Sequence, residues 1–292
     1  MPDAIGNKTA HDYHLDVPAP EQGFFAKGLG HGDWGAKNRL SHLFNPKSGN
    51  TVMLAFDHGY IMGATAGLER MDVTIAPLCR YADVLMATRG AIRSCIPPTV
   101  HNAICLRATH DASVLIDDMS TGNGVGADME AAIRMNASAV AIQCFIGGAG
   151  EARSLETLCR AVDAGERYGI PVLGVTAVGK EMARTTQYFL LATRILAELG
   201  ASAVKTYYCD NFEEIVAACP VPIVVAGGKK LPEDEALTLA YRSIQGGARG
   251  LDMGRNIFQS EHSAEMAQAI RKIVHEGYTD KEAYEFYQDL IH

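Results

Sequence analysis

Eight apolar runs of strand length, separated by helical patterns over about 240 residues, restrict this chain more than any other feature it carries. They span Thr51 to Phe56, Asp83 to Ala87, Ala103 to Ala108, Ser138 to Gln143, Pro171 to Val175, Ala201 to Lys205, Val221 to Ala226 and Arg249 to Met253. The runs are continuous rather than alternating, as expected of parallel strands covered on both faces. Between them, Glu151 to Tyr168 sets Leu155, Leu158, Val162 and Gly165 on one stripe and stops at Gly169. A second stripe, Tyr188, Leu191, Ile195 and Leu199, stops at Gly200. A third helix is expected to have Pro232 at its first position, with Glu233, Asp234 and Glu235 in the first turn where the dipole favours them. Eight such units fit a (β/α)8 barrel. An open doubly wound sheet competes less well, because no GxGxxG follows the first strand. Residues 1–50, polar and glycine-rich with a short amphipathic helix from Ala36 to Phe44, read as an N-terminal extension too short to bury its own core. Residues 51–292 form the barrel and its C-terminal helices.

Charge and cysteine usage narrow the partners. A net charge of −8 argues against non-specific nucleic-acid binding, which needs a basic face. Seven cysteines are an odd number with no CxxC pair, and several sit in apolar runs. They fit reduced thiols of a cytoplasmic protein rather than a disulfide framework. The ten histidines show no zinc-ligand spacing, so no metal is expected. No window approaches the apolar length of a membrane span, and Met1 to Asn7 has no apolar leader core, so neither membrane insertion nor secretion is expected.

In a barrel of this kind chemistry belongs at the carboxyl ends of the strands. The first strand runs into Asp57-His58-Gly59, the fourth into Phe145, the fifth into Thr176 to Lys180. The sixth ends at Lys205, the seventh in Gly227-Gly228-Lys229, and the eighth in Gly254-Arg255. A lysine closing a buried strand needs compensation for its charge. Read as a desolvated amine with a lowered pKa, Lys205 is the nucleophile for a Schiff base with a carbonyl substrate. Its plainer reading is a snorkelling or carboxylate-paired lysine at the rim. Asp57 is a candidate either to relay protons or to hold Lys205 by charge. His58 is a candidate second acid–base group, against the commoner role of a satisfied structural histidine. Asp252 reads as a buried hydrogen-bond acceptor, Tyr207 and Tyr208 as phenol donors or packing, and Lys180 as a second cation or a solvated one. Gly227, Gly228, Lys229, Gly254 and Arg255 together suit a phosphate: glycines admit backbone amides close to an anion, and a short helix, Asn256 to Gln259, follows.

With these residues in view, the chain resembles the DeoC/FbaB-type class I aldolases, (β/α)8 enzymes that hold a phosphoketone on a Schiff-base lysine. The resemblance rests on Phe44 to Lys47, Leu54 to Tyr60, Val204 to Tyr208, Ala226 to Pro232 and Asp252 to Gln259. It implies Lys205 as the Schiff-base residue, the two glycine ends as phosphate loops, and no bound cofactor. It implies either of two reactions. One is thiolytic transfer of an acetyl group from a phosphorylated diketone to coenzyme A, leaving dihydroxyacetone phosphate. The other is aldol cleavage of fructose bisphosphate or a related ketose phosphate. It also implies a homo-oligomer, a ring or double ring of up to ten subunits. Two departures bear on the acyl end of the substrate. Phe145 stands where relatives tend to carry Tyr, and the glycine-spotted segment Met119 to Met129 differs from the expected pattern.

Overall fold

The eight apolar runs close on one another. In the computed structural model, which describes residues 24–177 and 184–292, parallel strands β1 (Thr51–Ala55), β2 (Val84–Thr88), β3 (Ala103–Arg107), β4 (Ala139–Cys144), β5 (Val172–Thr176), β6 (Ala203–Tyr207), β7 (Ile223–Ala226) and β8 (Gly250–Met253) form a closed barrel. Their order around the barrel is β1-β8-β7-β6-β5-β4-β3-β2. Both faces of these strands are buried, which is why they read as continuous apolar runs rather than alternating ones. The pairings Val175↔Lys205↔Val224 and Tyr207↔Ala226↔Asp252↔Met53 set the phase of the inward row.

Helices wrap the barrel. Helix α1 (Trp34–Leu43), two residues ahead of its expected start, is capped by Asp33, whose carboxylate accepts from Ala36 N. It buries Leu40 and Leu43 in the barrel's own core. Helix α2 (Glu151–Tyr168) buries Leu158, Val162 and Gly165 and ends at Gly169, whose φ of +65° is the left-handed turn that favours glycine. Helix α3 (Thr186–Glu198) starts on a Thr185 cap and stops before Gly200. Helix α4 (Glu233–Gln245) begins one residue after Pro232, so proline is its cap rather than its first helical residue. The short helix α5 (Arg255–Phe258) starts one residue earlier than expected, and α6 (Ser263–Glu276) and α7 (Asp280–Ile291) pack with α4, α4 lying on β8 and α6 on β1.

Two features depart from the sequence reading. Lys205 is the third of five residues in β6, not its last, so its side chain enters the barrel rather than the rim. After β3 the chain makes a two-residue antiparallel ladder, Thr109–His110 with Gly124–Val125, and the loop it closes lies over the barrel mouth. All seven cysteines are free. No described helix is long and apolar enough to cross a membrane.

Candidate active site

A cavity of about 680 Å³ opens at the carboxyl end of the barrel, with Lys205, Asp57, Arg107 and Gln143 at its floor and Phe145, Met119 and Val114 on one wall. The Lys205 amine lies 2.9 Å from a carboxylate oxygen of Asp252 and 3.6 Å from the Met86 sulfur. The Asp252 side chain is fully buried and that of Lys205 nearly so. Burial alone pulls an amine down, yet the charges of Asp252 and then Asp57 outweigh it and hold Lys205 above its ordinary range. This corrects the lowered amine expected from the sequence: the compensating carboxylate sits on the neighbouring inward row, one strand beyond β7. Burial raises the Asp252 carboxyl despite the lysine beside it. The amine and the carboxylate thus form a close ionic contact in which both groups are shifted upward.

Asp57 does not hold Lys205 by direct contact. Its carboxylate accepts from Arg107 Nη1 at 3.0 Å, and burial, which would raise it, is overcome by Arg107, His58 and Lys205, so it stays below the usual carboxylate range. Arg107 closes β3 with its side chain only 3% exposed. Its guanidinium also donates to Asp111 at 2.6 Å, the Tyr60 hydroxyl at 2.7 Å, Gln143 Oε1 at 2.5 Å and Thr109 Oγ1 at 3.1 Å. Five acceptors around one rigid fork are what make a fully buried cation tolerable. The His58 ring lies beside Asp57, Nδ1 to Oδ1 3.9 Å, too long for a hydrogen bond. Burial pushes its pKa down against the pull of Asp57, leaving a neutral imidazole at pH 7.

The two glycine ends lie on adjacent strands, as anticipated. Asn256 ties them together: its Nδ2 donates to Gly227 O at 2.8 Å and its Oδ1 accepts from Leu231 N at 2.8 Å. A Cβ on Gly254 would stand 2.2 Å from Ala55 O, so β8 can approach β1 this closely only with glycine there. Gly228 takes φ +68°. Arg255 and exposed Lys229 line the cavity, and Arg255 Nε is buried without a hydrogen-bond partner among the described residues. Tyr207 also faces the cavity, under the guanidinium of Arg184 at 4.0 Å, whereas Tyr208 packs on Phe212. Lys180 lies outside the described residues. Among the described residues no cluster of His, Cys, Asp or Glu is placed to hold a metal ion.

Arg107, Gln143 and the pairing role of Asp252 were not anticipated. The signal was present: each is a polar residue within or at the end of a mostly apolar strand run.

Comparison with known proteins bears on this site. Residues 51–260 match the DeoC/LacD family aldolases. The chain belongs to that family. This aldolase-family chain is an enzyme of the class I type, in which carbon–carbon cleavage runs through a Schiff base. It is 51% identical over 290 residues to an uncharacterized aldolase of Pasteurella multocida, covering 99% of each chain. It is 50% identical over 288 residues, 98% of each chain, to the 3-hydroxy-5-phosphonooxypentane-2,4-dione thiolase of Escherichia coli K12. Its barrel superposes on an archaeal fructose 1,6-bisphosphate aldolase with a TM-score of 0.74 over 83% of this chain and 100% of that one. At 24% identity that likeness concerns the fold.

Proposed function

We propose that this aldolase-family chain transfers an acetyl group from 3-hydroxy-5-phosphonooxypentane-2,4-dione to coenzyme A, yielding acetyl-CoA and dihydroxyacetone phosphate. That reaction would place it in the degradation of phosphorylated autoinducer-2. The observation that carries the reading is the Lys205–Asp252 contact at 2.9 Å on the floor of a cavity whose rim holds the two glycine loops, in a chain half identical to a thiolase of that name.

Lys205 is the Schiff-base residue and Asp252 takes its proton as the amine attacks the ketone beside the phosphate-bearing carbon. Gly227, Gly228, Gly254, Lys229 and Arg255 hold the phosphate, through backbone amides and Arg255 Nε, which has no partner among the described residues. The resulting iminium is an electron sink. Thiolate addition to the acetyl carbonyl then breaks the bond one carbon beyond the iminium, leaving an enamine on Lys205. Protonation and hydrolysis release dihydroxyacetone phosphate. Asp57, kept ionised by Arg107, and neutral His58 are the proton-handling groups nearest the pair. Phe145, buried on the cavity wall, has no proton to give, which favours thiolysis over ordinary aldol cleavage.

Residues 1–50 are an N-terminal extension to the barrel unit of residues 51–292, and the chain works as a cytoplasmic homo-oligomer, a ring or double ring; light scattering that gives a monomer mass removes the latter. The function is tested by mass spectrometry after borohydride trapping with dihydroxyacetone phosphate, and by acetyl-CoA release from the diketone. An adduct on Lys205 and coenzyme A consumption are expected. An unchanged protein mass overturns the Schiff-base reading. Cleavage of fructose bisphosphate without coenzyme A, and no thiolysis, replaces the thiolase with an aldolase.

A further inference from the structure

Gln143, the fifth residue of β4, has every polar atom committed except one. Its backbone N donates to Thr109 Oγ1 at 3.1 Å, its backbone O accepts from Asn123 Nδ2 at 3.2 Å, and Oε1 accepts from Arg107 Nη2 at 2.5 Å. A guanidinium only donates, so the amide must present oxygen to Arg107 and has no freedom to flip. The Nε2 amine is thereby left with no hydrogen-bond partner among the described residues, on a side chain that lines the same cavity as Lys205.

Its place in the barrel says what it faces. In the order β1-β8-β7-β6-β5-β4-β3-β2, β4 lies four steps from β8, diametrically across the mouth from the glycine loops. A substrate whose phosphate sits at β7 and β8 and whose ketone reaches Lys205 on β6 directs its other end at β3 and β4. Resting on the thiolase reading above, we propose that Gln143 is a catalytic residue at the acyl end, its Nε2 donating to the oxygen of the acetyl carbonyl.

The electrons balance without any further group. Coenzyme A enters as thiolate, its proton released to solvent. Sulfur forms a bond to the acetyl carbon, and the carbonyl π pair moves to oxygen, where Nε2 meets the new negative charge. Collapse restores the carbonyl and breaks the carbon–carbon bond, whose electron pair neutralises the iminium as the enamine. A donor held rigidly where charge develops is the arrangement that lowers such a barrier most. Arg107 fixes the donor but does not supply it.

Two variants test this, each read by two assays. Gln143→Met has similar length and no N–H; Gln143→Glu keeps an acceptor for Arg107 and has no amide to donate. Acetyl-CoA release from the diketone reports the whole reaction. Exchange of the C3 protons of dihydroxyacetone phosphate in D2O, followed by NMR, reports imine and enamine formation without an acetyl group. Both variants should lose about 10²–10³-fold in kcat for acetyl-CoA release, while exchange falls by a much smaller factor. Release near the wild-type rate in either variant overturns the proposal. So does a parallel loss of exchange and release in both, which makes Gln143 a support of the whole site. Wild-type protein that exchanges protons yet releases no acetyl-CoA overturns the thiolase reading, whatever the variants do.

Discussion

Lys205 and Asp252 face each other across the barrel floor, amine to carboxylate at 2.9 Å, from strands separated by β7. The carboxylate is the strongest influence holding the amine above its ordinary range against burial. Removing that charge while keeping the shape should therefore let burial act. In Asp252→Asn the pH midpoint for borohydride trapping of dihydroxyacetone phosphate should move to lower pH. The limiting rate should fall by about 10²–10⁴-fold, because the proton acceptor is gone. An unmoved midpoint would mean that Asp252 does not set the state of the amine.

His58 predicts a pH dependence of stability. Burial depresses its pKa below the ordinary 6.5 of the unfolded chain. The unfolded state then binds protons more readily, so stability is lost as the pH falls below 6.5 towards the folded-state value. His58→Gln removes that contribution. Urea midpoints measured between pH 7.5 and 5.5 should fall less for the variant than for the wild type; equal slopes would contradict the depressed imidazole.

The barrel was legible because its strands are buried on both faces, so each of the eight shows as a mostly continuous apolar run. Glycines at 227, 228 and 254 were legible for a related reason: close backbone approach leaves no other residue type possible at Gly254. Arg107, Gln143 and Asp252 were harder, because reading strand ends directs attention to the rim. All three lie in the inward phase with Lys205, and phase depends on register between strands, which no single run reveals. A polar residue within or at the end of a mostly apolar run was the trace they left. The lysine's own position was misjudged by two residues for the same reason, and its proton affinity with it.

Arg107 predicts a stability effect of a different size. It neutralises two carboxylates whose side chains are 10% and 0% exposed, Asp57 and Asp111. Arg107→Met leaves both buried without a cation in contact, Asp111 keeping only the neutral donors Tyr60 Oη and Asn123 Nδ2, and should cost about 3–5 kcal/mol by chemical denaturation. Arg107→Lys should recover only part of this, since an ammonium has three donors and no planar fork. A loss under about 1 kcal/mol in the methionine variant would contradict the network's role.

Two glycines near the barrel mouth should respond oppositely to the same substitution. Gly90 stands in the helical turn Arg89–Cys95 with open space where a Cβ would go, so Gly90→Ala reduces unfolded-state freedom without a clash. It should leave stability unchanged or raise it by up to about 1 kcal/mol. At Gly254 the added carbon would stand 2.2 Å from Ala55 O and 3.0 Å from the His58 ring. Backbone cannot yield there without parting β8 from β1, whose pairing ends at Leu54↔Met253. Gly254→Ala should therefore cost more than about 2 kcal/mol, as overpacking against fixed neighbours does. The same displacement moves Arg255 and the loop before it, so dihydroxyacetone phosphate binding should weaken in whatever fraction remains folded. Thermal melts with and without dihydroxyacetone phosphate separate the two effects. A Gly254→Ala protein with wild-type melting and undiminished stabilisation by the phosphate would show that the two strands tolerate separation and that the loop does not hold the anion.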